Sequence, residues 1–257
     1  MKKGILALLI IGACWGAPLQ AQDWGNAPIA EVQKAAQQGD VEAQADLGMM
    51  YVTGYRVAKN YKQGSAWLRK AAEQGYAPAQ GSLGTMYIHG YGVAKDYKQA
   101  MAWFRKSAEQ GFAPAQYNLG VGYDTGQGVM KDAKQALAWY RKAAEQEVAD
   151  AQYNLSLMYS NGRGVTQDYK RAFAWLRKAA KQGHTKAQYN LSLMYANGQG
   201  VAQNNKLAYV WSSVAATNGY TDAATNRDIF AKRLGSAEMT EAQELAGQYF
   251  EQYQPKQ

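Results

Sequence analysis

The chain has 257 residues, 47% hydrophobic and 12% aromatic, which is too apolar for intrinsic disorder and long enough to bury a substantial core. Its 28 basic residues stand against 20 acidic ones, a net charge of +8, and no long Lys/Arg run occurs. That charge is moderate and scattered, so nucleic acid is excluded as an expected partner.

Lys2 and Lys3, the short apolar run Ile5 to Ala13, and then Pro18 and Ala21 have the form of a secretory signal. The run is too short to span a bilayer, and residues 1–21 are expected to be removed. A second reading stays open: Ile11 to Cys14 resembles a lipobox, which would make Cys14 the lipidated first residue of an outer-membrane lipoprotein. If Cys14 leaves with the signal, the mature chain has no cysteine and packing alone must hold it together. No membrane insertion of the mature chain is expected unless Cys14 is lipidated.

From Val32 onward the sequence repeats. Tryptophans fall at 67, 103, 139, 175 and 211, each 36 residues after the last. Tyr51, Gly54 and Leu47 each start a ladder with the same step. A fixed period of this size means stacked supersecondary units. Within a unit, Ala115, Leu119 and Tyr123 share one helix face, "TGQGV" breaks the helix, and Ala136, Trp139, Tyr140 and Ala143 mark a second one. Asn60, Asp96, Asp132, Asp168 and Asn204 precede the second helices as N-caps, with Gln63, Gln99 and Gln135 placed to complete capping boxes. Gly75, Gly111, Gly183 and Gly219 stand where second helices close in a left-handed conformation, and Pro78 and Pro114 open first helices.

The expected fold is therefore all-α: an α-solenoid of stacked helix hairpins with a 36-residue period and capping helices at both ends. Residues 22–257 form a single solenoid, with a half-unit at 32–42, five units over about 43–222, and a cap at 223–257. In that cap a helix is expected with Thr240 and Gln243 as its capping box, and Leu245 and Tyr249 covering the last apolar face. The five Trp rungs are expected inside the stack. Glu147 replaces a closing glycine, so a local irregularity is expected between the third and fourth units.

The segment "AQYNLGVGYDTGQGVMKDAKQALAWYRKAAEQ" resembles the Sel-one-like repeat, a tetratricopeptide-related helix hairpin, and the resemblance runs from Val32 to about Asp222. Departures are Arg56 for a turn glycine, Gly64 for a second-helix alanine, and Ser156 and Ser192 after leucine. The resemblance implies a non-catalytic scaffold that grips another protein, with no cofactor and no metal. One version is a periplasmic immunity protein neutralising a type VI secretion lipase effector; the alternative is an envelope or export-complex adaptor anchored at Cys14.

Catalytic chemistry is not expected. His89 and His184 differ in repeat position and read as chance surface histidines, and no serine-enzyme or P-loop motif occurs. The recurring Asp132-type acids read as caps, and the Arg–Lys pairs such as Arg141–Lys142 as a solvated outer face or an edge for anionic partners. The positions that vary within the constant scaffold lie on the first helices: Tyr117, Val121 and Asp124; Tyr153, Leu157 and Ser160; Tyr189 and Leu193. Similarity to tetratricopeptide stacks places them on a concave wall, as partner-binding residues. The competing reading has them pack between adjacent first helices.

Overall fold

The computed structural model describes residues 24–255; the expected signal segment and Cys14 lie outside them. Among the described residues all regular secondary structure is helical, and the chain is an all-α solenoid-type repeat. It forms two compact units, one ending at Lys131 and the other starting at Asp132.

The first unit holds α1 (Ile29–Gln37), α2 (Val41–Thr53), α3 (Tyr61–Glu73), α4 (Ala77–His89), α5 (Tyr97–Glu109) and α6 (Ala113–Thr125), each packed on the next. The half-unit is α1, whose Val32 and Ala36 pack with Leu47, Met50 and the buried Trp24. Arg56 fixes the chain ahead of α1: its guanidinium donates to the carbonyls of Gly25 (2.8 Å) and Ala27. That explains its presence at a turn-glycine position. Gly92 and Gly128 hold the equivalent place, and a Cβ on either would overlap the carbonyl of Tyr61 or Tyr97. Arg56 takes the same left-handed conformation (φ 63°) and uses its side chain to hold the segment before α1. Gly64 has a local cause too, because Val52 Cγ2 would lie 2.7 Å from an added Cβ.

The second unit holds α7 (Ala133–Glu145), α8 (Ala149–Asn161), α9 (Tyr169–Lys181), α10 (Thr185–Asn197), α11 (Asn205–Thr217), α12 (Thr221–Ala231) and α13 (Ser236–Gln252). Neighbours pack in sequence until α11, which carries both α12 and α13. Ser156 and Ser192 fit the buried position after leucine by donating their hydroxyls to the carbonyls of Tyr153 (2.6 Å) and Tyr189 (2.7 Å).

Every second helix is capped as expected; Asp96, for example, accepts from the amides of Lys98 (2.8 Å) and Gln99 (3.0 Å). The capping boxes, however, are not reciprocal. The amide of Asn60 donates to Tyr51 O, that of Asp96 to Tyr87 O, and in the second unit those of Asp168 and Asn204 to Tyr159 O and Tyr195 O. The turn thus ties these four caps back to their own first helices, and the side chains of Gln63 and Gln99 are not needed there. The final helix also departs from expectation. It starts at Ser236 after Gly235, whose amide faces Glu238, so Thr240 and Gln243 lie inside it.

Glu147 adopts φ 65°, and the amides of Glu147 and Val148 bond to Ala144 O and Ala143 O as those of Gly75 and Tyr76 do to Ala72 O and Ala71 O. The expected irregularity is absent because the turn's hydrogen bonds hold the strained residue in place. Glu147→Gly should accordingly stabilise the protein by about 1 kcal/mol, read as a higher midpoint in denaturant unfolding.

Of the five tryptophans expected inside the stack, two lie in the core and three do not. Trp103 and Trp211 are buried, but Trp67, Trp139 and Trp175 are half-buried, each with a lysine three residues on lying over the ring, at 4.1–4.4 Å from the centroid. The fully enclosed position is one residue later: Leu68 and Phe104 in the first unit, Tyr140 and Leu176 in the second. With the Leu47-type ladder and the Ala43-type ladder they make the continuous apolar seam of each unit.

Candidate functional site: the first-helix face

The rigidity of this face comes from a ladder of buried glutamines. Gln44, Gln80, Gln116, Gln152 and Gln188 follow the Ala43-type alanines, and each Nε2 donates to the carbonyl eight residues back, at 3.0–3.2 Å. The amide oxygen then accepts from a residue 30 positions ahead: Gln74 to Gln44 and Gln110 to Gln80 in the first unit, Gln182 to Gln152 and Asn218 to Gln188 in the second, each near 2.8–2.9 Å. Gln44 and Gln80 in the first unit, and Gln152 and Gln188 in the second, thus each join the preceding helix end to the residue that closes the next helix. Removing one would leave buried polar groups unmade.

The Arg–Lys pairs are consumed in the same way. Arg69 donates to Tyr87 Oη and Arg105 to Tyr123 Oη, both at 2.6 Å, while Arg141 donates to Tyr159 Oη at 2.8 Å. The arginine bonds the tyrosine of the following first helix, and the lysine covers the tryptophan of its own helix.

Against this fixed frame the eight expected partner-binding residues are all half-buried. Tyr117, Val121 and Asp124 lie on α6 of the first unit, where the corresponding positions on α2 and α4 are largely filled by small or buried residues such as Ala45, Val52 and Gly81. In the second unit, Tyr153, Leu157 and Ser160 lie on α8, and Tyr189 and Leu193 on α10. Tyr153 stacks on His184 (centroids 4.5 Å apart) and its Oη accepts from Asn190 Nδ2 at 3.3 Å. Tyr189 lies on Tyr220 (4.7 Å) and accepts from Asn226 Nδ2 at 3.0 Å. Both tyrosines therefore pack between first helices and also keep an accessible edge.

Burial raises the Tyr153 phenol above its ordinary pKa, with the Asn190 bond acting weakly in the opposite sense. The phenol stays neutral, and because its oxygen accepts from Asn190, its own O–H remains a donor. A face of leucines with phenolic donors can seat apolar side chains and bind main-chain carbonyls of a protein ligand.

His184 is no chance surface residue. Its Nδ1 accepts from the amide of Ala187 (3.0 Å) and caps α10, which leaves the proton on Nε2, facing Asp150 Oδ1 at 3.2 Å. His89 lies at the end of α4, stacked on Tyr91, its pKa lowered by burial and by Lys95. Among the described residues no group of three or more His, Cys, Asp or Glu side chains is placed to hold a metal ion, and no helix is long and apolar enough to cross a membrane.

Comparison with known proteins follows the same periodicity. The Sel1 repeat model matches five consecutive segments, 41–76, 77–112, 113–148, 149–184 and 185–220. A Sel1 repeat protein from Oxalobacter formigenes is 32% identical with a TM-score of 0.70, over 85% of this chain and 93% of its own. A sel1 repeat protein from Klebsiella pneumoniae is 25% identical with a TM-score of 0.50, over 80% of this chain and 100% of its own. An immunity protein from Pseudomonas aeruginosa is 22% identical with a TM-score of 0.48, over 78% of this chain and 76% of its own. No curated protein matches the chain. With five matched repeats and a 32%-identical relative aligned over most of both chains, this protein belongs to the Sel1 repeat family.

Proposed function

We propose that this Sel1-repeat scaffold is an exported, non-catalytic protein that works in the periplasm by gripping another protein with the Tyr–Leu face of its first helices. The observation that carries the reading is the contrast at that face. Scaffold positions such as Leu119, Gln116 and Ala115 recur unchanged and are spent on packing, while the positions held here by Leu157, Leu193, Tyr153 and Tyr189 carry other residues in earlier repeats, such as Thr85 and Gly81, and these four stay half-buried. A frame fixed by buried glutamines loses little entropy on binding, which favours tight capture. In its more specific form the reading is an immunity protein that neutralises a secreted lipase effector; a preformed apolar grip suits inhibition of a folded toxin.

The test is affinity capture from periplasmic extract with the wild-type chain and with the double variant Leu157→Asp/Leu193→Asp. The wild type should retain a stoichiometric partner, and the variant should bind it about 100-fold more weakly while melting at a similar temperature. Equal retention by both would refute the assignment of the face. A purified partner with lipase activity that the chain leaves uninhibited would refute the immunity form alone.

A further inference from the structure

In the second unit the three residues that follow α13 cover a turn position that stays open elsewhere in the repeat. After α13 the chain runs through Tyr253, Gln254 and Pro255 across the closing turn between α9 and α10. A Cβ on Gly183 would overlap the Gln254 carbonyl, and Gly183 is buried. At Gly39, Gly75 and Gly219, the same turn position elsewhere in the repeat, nothing lies within 4 Å of that point.

The segment is held by specific groups. Gln188, with no exposed surface, donates through Nε2 to Ala180 O and also to Tyr253 O at 2.8 Å. For Gln80 and Gln152 the same nitrogen bonds only to the alanine carbonyl. The Tyr253 ring stacks on Trp211 (5.5 Å, 21° between planes), with Lys181 Nζ 5.8 Å from its centroid, and Tyr249 meets both rings. One main-chain carbonyl, one aromatic ring and a backbone laid over a bare glycine are elements by which a short peptide segment is recognised.

We infer that Gly183, Gln188, Trp211 and Lys181 form a binding site for a short peptide of the type aromatic-X-Pro, which the chain's own Tyr253–Pro255 occupies at rest. A protein ligand presenting such a segment displaces the tail. This deepens the proposed function, resting on the reading that the chain binds proteins, but it places contact at the turn edge and not on the Tyr–Leu face.

The experiment uses a chain ending at Gln252, which keeps α13 whole, and a fluorescent synthetic peptide of residues 249–255 as probe. The shortened chain should bind the peptide at least tenfold more tightly than the full chain does. Tyr253→Ala in the peptide, or Gln188→Leu in the shortened chain, should abolish that difference. Equal binding to both chains, or no binding to a shortened chain that circular dichroism shows to be folded, overturns the proposal. Should the shortened chain not fold, the full-length Tyr253→Ala variant replaces it: it must bind the wild-type peptide more tightly than the unaltered chain, and failure to do so is equally decisive. No captured partner is needed, so this result is independent of the test of the Tyr–Leu face.

Discussion

Tyr140→Ala is expected to lower the stability of the protein by about 3–5 kcal/mol, while Trp139→Ala beside it costs only about 1–2 kcal/mol. Tyr140 is 2% exposed and fills the seam of the second unit, so truncation opens a void that helices fixed by buried glutamines cannot close. Trp139 is half-buried, and its replacement gives up one ring face and the cation–π contact of Lys142 at 4.2 Å. Urea unfolding monitored by circular dichroism measures both. If Trp139→Ala proved the more damaging, the placement of the seam would be wrong.

Gly164→Ala is expected to cost about 2–5 kcal/mol, the sum of a left-handed penalty and a steric one. Gly164 has φ 68°, and a methyl there would press on the Ala133 carbonyl at 2.5 Å and its carbon at 2.6 Å, both backbone atoms at the start of α7. Gly162 supplies the control. Its φ is 66°, yet an added Cβ would make only ordinary contact with Gln167 at 3.5 Å. Gly162→Ala should therefore lose about 1–2 kcal/mol. Comparable losses at the two positions would mean that the hairpin turn does not rest on the preceding helix.

The helices, their caps and their closing turns were legible because each is signalled by a local rule repeated at a fixed step. Asp96, Gly90 and Gly111 do what their residue types do elsewhere. The seam was harder to place. Tryptophan is the most conspicuous residue of the repeat, but successive helical residues point about 100° apart, and the inward direction belongs to Leu68, Phe104, Tyr140 and Leu176. A lysine three residues on lies over Trp67, Trp139 and Trp175, but Lys106 lies over the buried Trp103 as well, so that spacing did not mark which indoles reach the boundary.

The glutamine ladder went unread for a related reason. Glutamine is usually a surface residue, and hydropathy says nothing about a side chain whose value lies in bonding through both its amide nitrogen and its amide oxygen. Its recurrence in all five units was the usable signal. Likewise the Tyr–Asn dipeptides at 153–154 and 189–190 hide a link of 37 residues, from Asn190 to Tyr153, which only the stacking of hairpins brings into reach. At the candidate face the variable positions could be named from the repeat, but their divided use, part packing and part exposed edge, depends on neighbours one unit away.

The helix-to-helix hydrogen bonds described above join residues 8 to 37 positions apart, whereas that from Gln188 to Tyr253 spans 65. The chain emerges N-terminus first, so the early hairpins can mature before the rest has appeared, each finding its partners within a short stretch. The last one must wait for Tyr253, leaving one face of the Trp211 indole uncovered in the interval. Chains cut short before Tyr253 should consequently engage chaperones through that indole.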